Sequence, residues 1–191
     1  MNKLISLIKK IFIIIAIGLF CVEALKNNWF YAIYALAVIP IAMIFDLIKY
    51  ATKFRISQKM ELLYLTFIFF AEILGINLRV YYLLPAYDKI IHLISGALTA
   101  ILAIIILRYF KISASQKSFW TIFILSLTAG IAVAWEVFEY IIDLFGGDMQ
   151  RTSTRGINDT MVDMIAALIG GGLVALFVRR SKKMVKQSGD C

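Results

Sequence analysis

The run IIHLISGALTAILAIIIL (residues 90–107) decides how this chain is read. Its one titratable side chain is His92, and charge returns only at the edges, with Asp88 and Lys89 before it and Arg108 after it. A helix rises about 1.5 Å per residue, so about 20 apolar residues cross a hydrocarbon layer about 30 Å thick. Residues 90–107 with their flanks have that length and that composition, which makes them a membrane span.

Working outward, the pattern recurs over residues 5–25, 29–47, 62–78, 119–145 and 161–178, separated by short charged stretches. Lys9 and Lys10 fall inside the first run and can snorkel to its edge. Pro40 lacks an N–H and predicts a kink in the second. The chain of 191 residues is 62% hydrophobic and 17% charged, with a mean hydropathy of +0.87. A soluble domain is closer to half apolar and about a quarter charged. The expected fold class is therefore all-α, a polytopic transmembrane helical bundle of about six spans, forming a single integral membrane domain over residues 1–191. No small-x-small cleavage site is present and Phe20 is too bulky for the position before a lipoprotein cysteine, so the first span is expected to be retained. Cys21 and Cys191 fall at opposite ends of this topology, and no disulfide between them is expected.

The net charge of +8 would suit a nucleic-acid partner, but its distribution reads as topology. With the N-terminus in the cytoplasm and six spans threaded, 15 of the 20 Lys and Arg fall on the inner side. The outer side keeps Lys26, Arg79, Lys89, Arg151 and Arg155. Cytoplasmic loops carry the excess of Lys and Arg, so both termini are expected to be cytoplasmic. The acids do the opposite, with 9 of the 12 in the outer half. Acids contribute little to orientation, so their bias needs another cause, and function is the natural one.

Asp88 and His92 are four apart and share a helix face, which Ser95, Gly96 and Thr99 continue inward. Glu136, Glu139 and Asp143 are spaced three and four apart near the outer end of the fifth span. Asp159 and Asp163 repeat the four-residue spacing at the start of the sixth, where Asp159 also suits a helix N-cap. Carboxylates in hydrocarbon cost a few kcal/mol each, so they turn inward and find partners. Gathered together, they must protonate, bind a cation or pair with arginine. Carboxylates favour magnesium, calcium or manganese, and an imidazole admits zinc or iron. The expected metal ligands are Asp88, His92, Glu139, Asp159 and Asp163, holding a divalent ion of open identity; Glu136, Glu139 and His92 are the candidate catalytic groups. Arg79, Arg151 and Arg155 are the candidates for an anionic substrate, and the loop Arg151-Thr152-Ser153-Thr154-Arg155-Gly156 suits a phosphate group, although an ordinary solvated loop has the same composition. Glu72 and Arg79 lie seven apart, on one helix face, as a possible ion pair. Gly170, Gly171 and Gly172 permit close helix packing. Trp29, Tyr31, Tyr34, Tyr81, Tyr82 and Tyr87 read as an outer aromatic belt.

Tyr87-Asp88-Lys89-Ile90-Ile91-His92 with Gly96, then Glu136-x-x-Glu139, then Asp159-x-x-x-Asp163 with Gly170-Gly171 resemble the YjdF-type bacterial membrane proteins of unknown function. The same stretches are similar to the wider VanZ-like group, named for a protein linked to glycopeptide (teicoplanin) resistance. Both have a D-K-x-x-H helix start, an acidic helix end and a final Asp-rich helix with small residues. VanZ-like sequences often carry a glutamate and a glutamine where this chain has Glu136 and Glu139, which places it nearer the YjdF type. The resemblance covers residues 87–177, so that residues 87–178 form the family-like part with the polar site, and the first three spans stand outside it. It implies a multi-pass protein of the bacterial cytoplasmic membrane and carries over Asp88, His92, Glu136, Glu139, Asp159 and Asp163 as a shared polar set, with no reaction attached.

Three functions fit these residues. One is metal-assisted hydrolysis or transfer on a phosphorylated or lipid-linked substrate at the outer face. Another is a non-catalytic protein that binds a lipid, an antibiotic or a partner and uses the acids as a structural cation site. The third is a cation- or proton-coupled transporter, although transport sites usually lie near the bilayer midplane and these acids hug one surface. The implied partners are membrane lipid and a small lipid-linked or phosphorylated molecule, with no nucleic acid.

Overall fold

The computed structural model describes residues 2–52, 56–147, 149–150 and 156–181. The helices are α1 (Asn2–Leu25), α2 (Trp29–Ala42), α3 (Ile44–Thr52), α4 (Gln58–Ile68) continued by a π-helical segment (Phe69–Asn77), α5 (Val80–Leu83), α6 (Pro85–Tyr109), α7 (Lys117–Leu144) and α8 (Ile157–Arg180). No strand occurs among the described residues. Five helices are long and apolar enough to cross a membrane, and six if the bent pair α2–α3 counts as one span. The protein is an all-helical, multi-pass membrane protein. Its helices overrun the apolar runs at most ends because backbone bonding continues into the polar flanks.

α2 and α3 meet at 44°, and the break falls at Met43 rather than at Pro40. Pro40 removes a donor and crowds the carbonyl one turn back. The helix carries on for two residues before Met43 N–H divides itself between the Ile39 and Pro40 carbonyls, each at 3.2 Å.

The chain divides into two compact units, Met1–Tyr87 and Asp88–Cys191. In the first, α1 packs on α2 and α4. Its buried stripe is Ile5, Lys9, Phe12, Ala16 and Glu23, near-heptad spacing, while Leu7, Ile11, Ile14 and Ile17 stay exposed on the other faces, as a lipid-facing helix requires. Ile5, Phe12, Val38, Ala42, Leu65, Ile68 and Ile73 form the core. Lys9 bridges Asp46 on α3 and Glu61 on α4, an ion-pair cluster of the kind that offsets the cost of an intramembrane charge. At the other end Glu23 accepts from Lys26 at 2.8 Å, Asn28 at 3.0 Å and Arg79 at 3.1 Å.

That last bond corrects one expectation. Arg79, at φ +61° between the π segment and α5, bonds Glu23 and lies 4.4 Å above the Tyr31 ring instead of pairing with Glu72. Glu72, 1% exposed within the π segment, accepts from the Tyr34 hydroxyl at 2.8 Å. Tyr34 is itself 4% exposed, so it belongs to the interior and not to the aromatic belt. Trp29 and Tyr82 are exposed, as belt residues are.

The second unit is three helices around one core of Ala100, Ala103, Ile104 and Leu107 from α6, Trp120 and Ile124 from α7, and Ala175 and Val178 from α8. Small residues set how closely α6 and α8 approach. A Cβ on Gly96 would sit 1.9 Å from the Ala167 carbonyl oxygen, and one on Gly170 would sit 1.9 Å from the Leu93 carbonyl oxygen. Backbone meets backbone at both points, as small-residue membrane packing allows. Gly171 instead faces the Thr128 side chain of α7, and Gly172 has open space around it and takes no part.

Candidate functional site

The buried residues of α7 are Trp120, Ile124, Thr128, Ala132, Glu136 and Glu139. They are spaced four, four, four, four and three apart, so they form one stripe that begins apolar and ends in two carboxylates. The stripe of α8 runs the opposite way, from Asp159 and Asp163 through Ala166, Ala167, Gly170 and Gly171 to Ala175 and Val178. α6 buries Asp88, His92, Gly96 and Ala100 at four-residue intervals. Three helices thus bring their polar ends together at one end of the unit, and side-chain bonds link α6 to α8 there.

Lys89 occupies the middle. Its Nζ lies 2.6 Å from Asp159 Oδ1, 2.7 Å from Asp163 Oδ1 and 3.1 Å from Asp88 Oδ2. His92 Nε2 is 3.5 Å from Asp88 Oδ1 and 3.9 Å from Asp163 Oδ1. Asp88, His92, Asp159 and Asp163 are all buried. Lys89 was read from the sequence only as one of the outer cations. The signal was present in the D-K-x-x-H motif, yet adjacent residues on a helix point about 100° apart, so spacing alone did not join Lys89 to its neighbours.

Asp159 is no N-cap. Gly156 holds that position at φ +54° without a side-chain cap, and Asp159 sits in the first turn with its carboxylate on Lys89. Asp143 leaves the cluster for another task, since its two oxygens accept from the Met149 and Gln150 amides at 2.6 and 3.0 Å and turn the chain after α7. The Gln150 side-chain Nε2 donates to the Glu136 backbone carbonyl at 3.1 Å and to Thr160 Oγ1 at 3.4 Å, tying α7 to α8 beside the site.

Of the expected metal ligands, Asp88, His92 and Asp163 each bring one donor atom within 4.8 Å of the others. Two donors on a small divalent cation lie on the order of 3–4 Å apart, so the His–Asp spacings fit such an ion. Asp159 is turned onto Lys89. Glu139 accepts the Trp135 indole N–H at 2.7 Å and is not one of the three grouped donors, although Glu136, Asp88 and Asp163 are its charged neighbours. Glu136 is 5% exposed, and among the described residues neither of its oxygens has a hydrogen-bond partner of normal geometry, although Thr160 approaches it and His92, Asp163 and Asp88 are its charged neighbours. Arg79 belongs to the first unit and is engaged with Glu23. Arg151 and Arg155 lie outside the described residues, as does the loop Arg151–Arg155.

These features define a class, the multi-pass helical membrane proteins with a buried Asp/His/Asp cluster at one end of the bundle. The chain belongs to the family described as a predicted membrane protein (DUF2238), which matches residues 6–184. That match takes in the first three spans, so it is wider than the motifs of residues 87–177 implied. The chain is also similar to an uncharacterized protein of Thermotoga maritima, 26% identical over an alignment of 139 residues that covers 69% of this chain and 67% of that protein. No solved structure matches it.

Proposed function

We propose that the second unit carries a divalent-cation site with Asp88, His92 and Asp163 as ligands, serving hydrolysis or group transfer on a phosphorylated or lipid-linked substrate at the outer face of a bacterial cytoplasmic membrane. The observation that carries this reading is Glu136, a buried carboxylate whose oxygens have no hydrogen bond of normal geometry among the described residues, beside a His/Asp/Asp set of metal-compatible spacing. A buried polar group without a partner is costly, and a bound ion, an ordered water or a proton on Glu136 removes that cost. A metal held there would act as a Lewis acid or lower the pKa of a bound water. Within the protein, Glu136 is placed to take or hold a proton, and Trp135 fixes the Glu139 carboxylate by its indole bond. Arg151 and Arg155 are the proposed anchors for the substrate's phosphate, while Arg79, in the first unit and bonded to Glu23, is left out of the site. The likeness of the motifs to YjdF-type and VanZ-like proteins supports an envelope role.

One observation favours a second reading. Lys89 already supplies a cation to Asp88, Asp159 and Asp163, as it would in a non-catalytic protein that binds a lipid, antibiotic or partner. Metal analysis by mass spectrometry on purified protein, with His92→Ala and Asp163→Asn as comparisons, separates the two. The catalytic reading expects about one divalent ion per chain, lost in both variants, and phosphate release from a lipid-linked pyrophosphate that Glu136→Gln abolishes. Folded wild-type protein that neither carries nor takes up a divalent ion, and turns over no such substrate, would leave Lys89 as the resident cation and the binding reading in place.

A further inference from the structure

The opposite end of the second unit holds a feature that the acidic cluster does not use. Arg108 lies in the last turn of α6 and Lys111 just beyond it, α7 starts at Lys117, and α8 ends at Arg179 and Arg180. Residues 105–123 and 172–181 contain no Asp or Glu. Between the start of α7 and the end of α8 is a cleft whose walls include Lys117, Trp120, Thr121, Ala175, Val178 and Arg179. Lys117 and Arg179 are both exposed, and neither has an acidic partner among the described residues.

Two further observations single out this cleft. Lys117 is the first residue of α7, where the positive end of the helix dipole disfavours a cation. The first turn of α7 has no acid and the Gln116 side chain makes no cap bond, so among the described residues no side chain compensates. An anion at that spot would satisfy the lysine and the uncapped turn together. The second observation is Trp120. It is 4% exposed, it forms part of the cleft wall, and its indole N–H is buried without a hydrogen-bond acceptor among the described residues. Native interiors rarely leave such a donor unmet, and an oxygen entering the cleft is what it lacks. The rest of the wall is apolar, from Ala114, Ile124, Ala175 and Val178, and the space inside holds about one water-sized group, so a single phosphate oxygen can enter while the rest of a headgroup lies outside.

We propose that this cleft binds the phosphate of an anionic phospholipid headgroup, with Lys117 and Arg179 supplying charge and the Trp120 indole N–H donating to a phosphate oxygen. Basic pockets between transmembrane helices on the cytoplasmic side bind anionic headgroups, and the positive-inside bias of this chain puts the cleft in that leaflet. The site stands at the far end of α7 from Glu136, about 28 Å away along the helix, and is independent of any metal.

Native mass spectrometry of the full-length protein in detergent, titrated with phosphatidylglycerol or phosphatidylcholine, tests the assignment. Wild-type protein is expected to hold phosphatidylglycerol at least about tenfold more tightly than phosphatidylcholine. Lys117→Gln with Arg179→Gln should weaken the anionic lipid by about thirtyfold, at roughly fivefold for each basic residue near a charged headgroup, and leave phosphatidylcholine unchanged. Both positions are exposed, so the double variant should fold, and its melting temperature checks that it does. Trp120→Phe keeps the ring and removes the donor, and should lower affinity severalfold with the charges intact. Equal retention of both lipids, or equal retention of phosphatidylglycerol by wild type and the double variant, would overturn the site. Displacement by millimolar inorganic phosphate would assign the cleft to a free anion and overturn the lipid.

Discussion

Lys89 Nζ lies 2.7 Å from Asp163 Oδ1, an ion pair between the start of α6 and the first turns of α8. The same carboxylate oxygen is 3.9 Å from His92 Nε2. Asp163 is therefore where the lysine network and the histidine meet, and a metal there must share or displace the ammonium. The two proposed readings of the site differ in how they treat this one residue.

Lys89→Met tests that relationship. The change keeps the length of the side chain and removes its charge, leaving Asp163 buried without its ammonium. The expected loss is about 2–4 kcal/mol, toward the lower part of the range for breaking a buried pair, because 23% of the Lys89 side chain is exposed. Thermal unfolding in detergent measures it. If the site accepts a divalent ion, adding one to the variant should restore much of the lost melting temperature, since the competing ammonium has gone. A variant that melts like the wild type would mean that the ion pair carries little stability.

Part of this site was legible in the chain before any coordinates. Four-residue spacing put Asp88 with His92 and Asp159 with Asp163, and the structure places those four together in one cluster. Lys89 was hidden because its contribution depends on a long side chain crossing to another helix, which periodicity does not encode. Asp159 was ambiguous for a related reason. An Asp near a helix start serves equally as N-cap or as a buried acid in the first turn, and the left-handed Gly156 decides between them. The π segment was invisible, since hydrophobic spacing does not distinguish a bond four residues back from the Leu78 N–H bond to Ile73, five residues back at 2.9 Å. The spans themselves needed nothing beyond length and apolarity.

The glycines of α6 and α8 separate packing from mere presence in a small-residue stripe. Gly96→Ala and Gly170→Ala each drive a methyl group into a carbonyl 1.9 Å away, and backbone cannot move aside as a side chain can. Each is expected to cost about 1–3 kcal/mol, the usual range for overpacking, or to prevent folding altogether. Gly172→Ala meets nothing within 4 Å and should be neutral. Yield of monodisperse protein and melting temperature read all three. A neutral Gly170→Ala would mean that α6 and α8 do not approach so closely.

Tyr34 and Tyr31 provide a paired comparison in the first unit. The Tyr34 hydroxyl donates to Glu72 at 2.8 Å in the interior, while the Tyr31 hydroxyl meets that of Tyr82 at 3.4 Å at an exposed position. Tyr34→Phe leaves a buried carboxyl without the donor that Tyr34 supplies, and is expected to cost about 1–3 kcal/mol. Tyr31→Phe removes a long, solvated contact and keeps the ring beneath Arg79, so its effect should stay within about 0.5 kcal/mol. Thermal unfolding of the two variants side by side gives the difference. Equal effects would show that Tyr34 does not serve Glu72.

Orientation in the membrane follows from charge and can be read by cysteine labelling. One end of the second unit carries Arg108, Lys111, Lys117, Arg179 and Arg180, and the other carries Asp88, Glu136, Glu139, Asp159 and Asp163 with Lys89 among them. Cytoplasmic loops keep Lys and Arg, so the first end should face the cytoplasm. In a Cys21→Ser, Cys191→Ser background, Ser115→Cys places a thiol in the α6–α7 connection and Gly147→Cys places one after α7. A membrane-impermeant maleimide applied to intact spheroplasts is expected to label the thiol at position 147 and to reach position 115 only after permeabilisation. The reverse pattern would turn the molecule over. It would then move the acidic cluster to the cytoplasmic face and the basic cleft to the outer leaflet, where anionic headgroups are scarcer, so both proposals depend on its outcome.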